Sequence, residues 1–233
     1  MVKHIDFSTL MASTVHDMKN VIAAVSQAYE SLLAEMPKEL QRSPQARLIE
    51  QEALRLDAML MQLLGLYKLE HGQLLLQQVY CRIDELFEDL HNRHRELLAY
   101  RNITLDIELD DPDLEGYLDV SLIGTVLDNA LGNALNYCKK TIRLSAQRED
   151  NGILLSINDD GPGYPASLLG AVREKESSSI DRNSGSTGLG LYFAASIIAM
   201  HDQDERPARL ELTNQGHLPG ACMTIWIGLP SLF

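Results

Sequence analysis

No apolar run in the chain approaches the roughly 18 residues that suggest a membrane span, and the N-terminus lacks the apolar core of a signal peptide. A cytoplasmic protein with no membrane span is the expectation. Cysteine is scarce: Cys81, Cys138 and Cys222 form no metal-spaced cluster, and an odd, sparse set is ordinary for a reducing compartment. Positive charge is short as well, with 20 Lys and Arg against 33 Asp and Glu and a net charge of −13. That balance argues against a sequence-independent grip on nucleic acid or on anionic lipid. Trp226 is the only tryptophan and reads as packing. What remains, 233 residues at 45% hydrophobic composition, suffices for a helical module and one compact α/β domain, each with its own core.

Met11, Val15, Met18, Ile22, Val25, Tyr29, Leu32 and Met36 follow one another at alternating steps of four and three, the spacing that keeps one seam of a helix against a partner helix. A second seam runs through Ile49, Ala53, Leu56, Leu60, Leu63 and Tyr67. Between them the chain breaks at Met36 and Pro37 and restarts at Ser43 and Pro44, where serine can cap and proline suits a first turn. An antiparallel helical hairpin is predicted. Its seam exceeds what one hairpin can bury, so two copies should pack into a four-helix bundle as a homodimer. His16 sits just off the seam, with Asn20 one turn above it on the same outward side. An isolated histidine is ordinarily a solvated surface residue, and this is one of seven. Asp17 beside it changes the balance, because a neutral imidazole is a competent nucleophile near neutral pH and a carboxylate can orient the ring and receive its proton.

Three later segments suggest a ligand site. From Val126 to Tyr137 apolar residues recur at helical spacing, with Asn129 and Asn133 one turn apart on another face, although asparagine on a helix surface is usually just solvated. The apolar strand from Ile153 to Ile157 runs into Asn158, Asp159, Asp160, Gly161, Pro162 and Gly163. There Asp159 can accept a hydrogen bond from an exocyclic amine, and Gly161 and Gly163 let backbone approach a flat base; the same residues also fit an ordinary Asp-Gly turn. The third segment, Gly185 to Leu191, opens the apolar helical stretch from Tyr192 to Met200 and fits a phosphate cradle and a helix cap equally well. It is neither a Walker loop nor a strand-first dinucleotide fingerprint.

In order, the four segments resemble the H, N, G1 and G2 boxes of the sensor histidine kinases of two-component signalling. Leu69, Glu70, His71 and Gly72 look like that family's exit from its dimerisation hairpin, and Leu229 and Pro230 like the end of its catalytic domain. The resemblance implies an α+β protein: residues 1–75 a helical dimerisation and histidine-phosphotransfer domain, residues 76–233 a GHKL-type catalytic domain with the Bergerat α/β sandwich. It implies His16 as phosphoacceptor, Asp17 as its acidic neighbour and Asn20 as the position linked to dephosphorylation of the partner. Asn133 would be the main ligand of Mg2+, with Asn129 in the same pocket. Tyr137 would pack by the adenine of ATP and Asp159 bind its amino group, while Gly161, Gly163, Thr187, Gly188, Leu189 and Gly190 would shape the base site and phosphate lid. The implied activity is autophosphorylation and transfer to an aspartate of a response-regulator receiver domain, with dephosphorylation of that regulator in addition. The alternative is a degenerate kinase, a dimeric ATP-binding module that sequesters a regulator.

Two departures stand out. Asn136 takes a place where the family often has lysine or arginine, so that a phosphate contact is either missing or made by Lys139, Lys140 or a lid residue such as Arg173 or Lys175. The aromatic box between the glycine segments is not recognisable in Ala166 to Ser184. The boundary between the units is expected near Gly72 to Tyr80. In the second, a helix is patterned by Ile83, Leu86, Phe87, Leu90 and Leu97, and a strand by Ile103, Leu105, Ile107 and Leu109. Further strands are expected around Ile142 to Ala146, Ile153 to Ile157, Leu210 to Thr213 and Met223 to Ile227. With the bundle starting in the first dozen residues, the signal is expected from a separate sensor protein or from regulated access to substrate, unless the chain is a truncation.

Overall fold

The structure, a computed structural model, describes residues 7–37, 40, 43–172, 189–202 and 207–230. The chain divides into two compact units between Leu75 and Leu76. Among the described residues no helix is long and apolar enough to cross a membrane.

The first unit is a hairpin of α1 (Phe7–Glu35) and α2 (Pro44–Glu70). Ser43 stands at the N-cap of α2 with extended backbone, its hydroxyl accepts the N–H of Ala46 at 3.2 Å, and Pro44 occupies the first turn, where a missing N–H costs nothing. The Tyr29 hydroxyl donates to the carbonyl of Ala46 and so ties the helices together. At the far end Gly72 adopts a left-handed φ of 63° while the N–H groups of Gly72 and Gln73 donate to the carbonyls of Leu69 and Lys68. That glycine-terminated geometry satisfies the last carbonyls of the helix. The described part of the α1 seam splits by heptad position, and the α2 seam does so as far as Leu60. In α1, Ile22, Tyr29 and Met36 are half-buried, whereas Met18, Val25 and Leu32, each a heptad apart, are exposed. In α2, Ala53, Leu63 and Tyr67 are half-buried and Leu60 is buried, whereas Ile49 and Leu56 are exposed.

The second unit contains β1 (Val79–Arg82), α3 (Ile83–Arg101), β2 (Thr104–Leu109), β3 (Glu115–Leu118), α4 (Val120–Tyr137), β4 (Thr141–Glu149), β5 (Gly152–Asp159), β6 (Gly170–Ala171), α5 (Leu189–Met200), β7 (Arg209–Thr213) and β8 (Cys222–Gly228). Six strands form one sheet in the order β2-β4-β5-β8-β7-β6, with β2 parallel to β4 and the other pairs antiparallel. β1 and β3 make a separate two-stranded ribbon. α3 packs on β2, α4 on β5 and α5 on β7, with α4 touching both other helices. Buried rows cross four strands: Leu144, Ile157, Met223 and Leu212 in one, and Ala146, Leu155, Ile225 and Leu210 in the next. Period-two alternation then places Asp159, opposite Ile142, on this same buried face. The apolar face of the sheet therefore ends in a carboxylate.

Trp226 lies on the alternate face, 2% exposed, with its indole N–H donating to the carbonyl of Glu149 at 3.2 Å and the Arg209 guanidinium 4.9 Å from the ring centroid. Three short strands, β1, β3 and β6, lie outside the sequence expectation, because two to four residues are too few to show alternation. In α3 the buried arc is completed by Leu98, with Leu97 half-buried beside it.

Candidate functional site

α4 begins at Asp119, whose carboxylate accepts the N–H of Leu122 at 3.0 Å and that of Gln77 at 2.9 Å. The Asp119 N–H donates to Nε2 of His201 at 3.0 Å, and the other ring nitrogen of His201 lies 2.8 Å from the carbonyl of Ile197. His201 is therefore neutral, protonated at Nδ1, and its burial holds its pKa below the ordinary histidine value. This arrangement pins the N-terminus of α4 to the C-terminus of α5. Val126, Leu127, Ala130, Leu131 and Ala134 bury one side of α4. On another, Asn129, Asn133 and Asn136 fall within about 60° of arc at 3.6 residues per turn. Asn129 is half-buried; Asn133, Asn136 and Tyr137 are exposed.

Asp159 closes β5 at 4% exposure. Its Oδ1 accepts the N–H groups of Gly161 at 2.7 Å and Ala221 at 3.3 Å, and among the described residues Oδ2 has no partner. Burial raises its pKa, partly offset by those two N–H groups. The backbone must come very close to hold it. A Cβ on Gly161 would meet the carbonyl oxygen of Tyr137 at 2.6 Å, and one on Gly220 would meet the N of Gly161 and the carbonyl oxygen of Asp159 at 2.5 Å. The C-terminus of α4 and the Asp159 turn are thus pressed together, and only glycine fits between them. Gly163 has a left-handed φ of 84°.

Two asparagines outside the sequence-derived set brace this turn. Asn158 donates to the carbonyls of Leu218 and Ala221 and accepts the N–H of Leu218 at 2.6 Å. Asn214 grips the backbone of Tyr164, accepting its N–H at 2.7 Å and donating to its carbonyl at 2.9 Å. Asp160 faces the opposite way. Burial opposes its ionisation, but the N–H groups of Lys140 and Lys139 outweigh it and hold the carboxyl below its usual range. The Tyr164 phenol is pushed above its usual value by burial and by the nearby Asp159. Gly220 reads in sequence as one more turn glycine; Asn158 and Asn214 carry no signal beyond being next to turns.

Leu189 and Gly190 are the first residues of α5, so helix replaces loop there, while Thr187, Gly188, Arg173 and Lys175 lie outside the described residues. In the hairpin, His16 falls within α1 with its side chain outside the described set; Asp17 and Asn20 are exposed. The structure thus gathers Asn129, Asn133, Tyr137, Asp159 and Gly161 around the C-terminal half of α4, and keeps Asp17 and Asn20 on a separate unit.

Residues 118–231 match the family described as histidine kinase-, DNA gyrase B- and HSP90-like ATPase. The alginate biosynthesis sensor protein KinB of Pseudomonas aeruginosa is 28% identical over 191 residues, 80% of this chain and 32% of its own length. The sensor-like histidine kinase SenX3 of Mycobacterium tuberculosis is 26% identical over 230 residues, 95% of this chain and 53% of its own. The chain thus spans about a third to a half of these relatives. A crystal structure of histidine kinase ThkA in complex with the response regulator protein TrrA superposes at a TM-score of 0.58 with 20% identity, covering 95% of this chain and 60% of that one. Its likeness is one of fold. With Asp159 and its glycines at the end of β5 beside the asparagines of α4, the matched segment 118–231 is a histidine kinase-, DNA gyrase B- and HSP90-like (GHKL-type) ATPase domain, and it is similar to the catalytic domains of sensor histidine kinases.

Proposed function

We propose that this chain is an ATP-dependent protein-histidine kinase in which residues 76–233 bind the nucleotide and residues 1–75 dimerise and carry the phosphoacceptor His16. The observation that carries the reading is Asp159: a carboxylate on the apolar face of the sheet, with Oδ1 held by two backbone N–H groups and Oδ2 open. Such a group suits the exocyclic amine of adenine, and exposed Tyr137 supplies a ring beside it. Amide oxygens are hard donors of the kind magnesium accepts, so Asn133, with Asn129, would hold Mg2+, which neutralises phosphate charge when bound. Gly161 and Gly163 would shape the base site; Leu189 and Gly190 at the start of α5, with Thr187 and Gly188 before them in sequence, would hold the phosphates.

His16 would then attack the γ-phosphorus in line. The N–P bond forms as the bridging P–O bond breaks, ADP leaves, and Asp17 takes the imidazole proton. The phosphoryl group would pass to an aspartate of a receiver domain. The ThkA complex with TrrA supports such a partner. Homodimerisation is supported by the open half of each seam, Met18, Val25 and Leu32 on α1 and Ile49 and Leu56 on α2. Asn20, exposed one turn from His16, would position water against the regulator's phosphoaspartate.

Incubation with magnesium and γ-labelled ATP should give an acid-labile, base-stable phosphate on the protein. ATP that is bound but never transferred would replace this reading with a binding module. Asn20→Ala should label normally yet fail to speed decay of the phospho-regulator in the presence of ADP. Equal decay with wild type and variant would leave Asn20 no catalytic part.

A further inference from the structure

Arg101 belongs to none of the four sequence segments, yet its guanidinium lies against the asparagine arc. It sits in the last turn of α3, where Asn102 turns left-handed at φ 53° and the N–H of Ile103 donates to the carbonyl of Leu98 at 3.0 Å, so the helix end is fixed. From there Nη1 donates to the carbonyl of Leu135 at 2.6 Å and lies 3.5 Å from Oδ1 of Asn136. The first contact is one a cation commonly makes at a helix C-terminus. It uses only one nitrogen. Among the described residues Nε and Nη2 carry no hydrogen bond, and the side chain is half-buried, held on one side and open on the other.

The surrounding charges make this position unusual. Arg93, the other arginine of α3 that reaches α4, is spent on Asp128, with Nε at 3.2 Å and Nη2 at 3.0 Å from the carboxylate. Lys139 and Lys140 follow α4 in an exposed loop whose backbone is turned to Asp160. Asn129, Asn133 and Asn136 are neutral, in a chain of net charge −13. A polyphosphate lying along that arc needs a cation, and a planar guanidinium with an unoccupied pair of donors matches phosphate oxygens.

We propose that Arg101 is a phosphate-binding residue of the nucleotide site, contacting the polyphosphate of ATP through Nε and Nη2 while Nη1 stays on the end of α4. The proposal rests on the nucleotide reading of the Asp159 site. It places beside Asn136 a charge that position 136 itself does not carry.

The test is calorimetric binding of magnesium-ATP and of AMP to the full chain. Arg101→Gln retains an amide donor for the Leu135 carbonyl and removes the charge; Arg101→Lys retains the charge. Arg101→Gln should weaken ATP by about tenfold while AMP changes by less than about twofold. Arg101→Lys should recover most of the loss, and adding Asn136→Lys to Arg101→Gln should recover it by a different route. Thermal melts of each variant show whether the α4 cap has suffered separately. Unchanged ATP affinity in Arg101→Gln, or an equal loss for ATP and AMP, overturns the assignment and leaves Arg101 as a helix cap. A wild-type chain that binds no ATP overturns the nucleotide reading and the assignment with it.

Discussion

In the hairpin Met18, Val25, Leu32, Ile49 and Leu56 are each about half exposed, whereas in the other unit Phe87, Leu90, Ile123, Leu127, Leu144 and Leu155 have essentially no surface left. Both sets are apolar and regularly spaced, so periodicity does not account for the difference. Geometry does. Two antiparallel helices can cover only the positions that face each other, and here those are Ile22, Tyr29 and Met36 on α1 and Ala53, Leu60, Leu63 and Tyr67 on α2. Three helices on a six-stranded sheet cover a whole face. The α/β unit is complete by itself; the hairpin has another surface to satisfy, and a second copy is the simplest way to do so.

The open half of the seam can be broken at Leu56. Full burial of a leucine is worth about 1.5–3 kcal/mol, and a symmetric dimer counts each substitution twice, so Leu56→Asp should weaken self-association by about 3 kcal/mol or more. Sedimentation equilibrium should show a monomer with unchanged ATP affinity. A dimer as tight as wild type would mean that the open half of the seam is not the contact.

Phe87→Ala should cost about 3–5 kcal/mol, the range for emptying a core phenylalanine site. Trp226 reports on the same unit, so fluorescence-monitored denaturation reads the loss directly, and it should not depend on protein concentration. A loss below about 1 kcal/mol would contradict the description of a closed core.

Asp159→Asn should remove a charge-assisted hydrogen bond worth about 1.5–3 kcal/mol, and so weaken ATP binding by about tenfold or more. Calorimetry showing equal affinity would take Asp159 out of the base site.

The smallest expected effect concerns His201. Its folded pKa is depressed by burial, so below the unfolded value of about 6.5 the unfolded chain binds more protons and stability falls with pH. The slope is at most about 1.4 kcal/mol per pH unit. Asp159 shifts upward through burial, the opposite sign, so its contribution makes the folded state bind the extra proton and stability rise as pH falls through its raised pKa. Urea titrations between pH 7 and pH 5 should show the His201 slope in wild type and a flatter profile in His201→Gln; equal profiles would remove the histidine from the account.

The parts legible in sequence were those encoded over a few neighbouring residues. The helix restart at Ser43 and Pro44, the strand from Ile153 to Ile157 and the asparagines one turn apart on α4 are of this kind. Other features depend on partners far along the chain. Arg101 finds the Leu135 carbonyl across 34 positions, Asn158 finds Leu218 across 60, and His201 finds Asp119 across 82. No local spacing marks such pairs. Gly220 is the clearest case: in sequence it resembles any other turn glycine, and only the position of Asp159 and Gly161 shows why a side chain is excluded there.

The division of labour between the two units is tested most directly by incubating wild type and His16→Gln with magnesium and γ-labelled ATP while measuring ATP affinity of both. The account predicts label on the wild type, none on the variant, and the same affinity for each. Label retained by His16→Gln would contradict it, because the phosphoacceptor would then lie elsewhere than on the hairpin histidine.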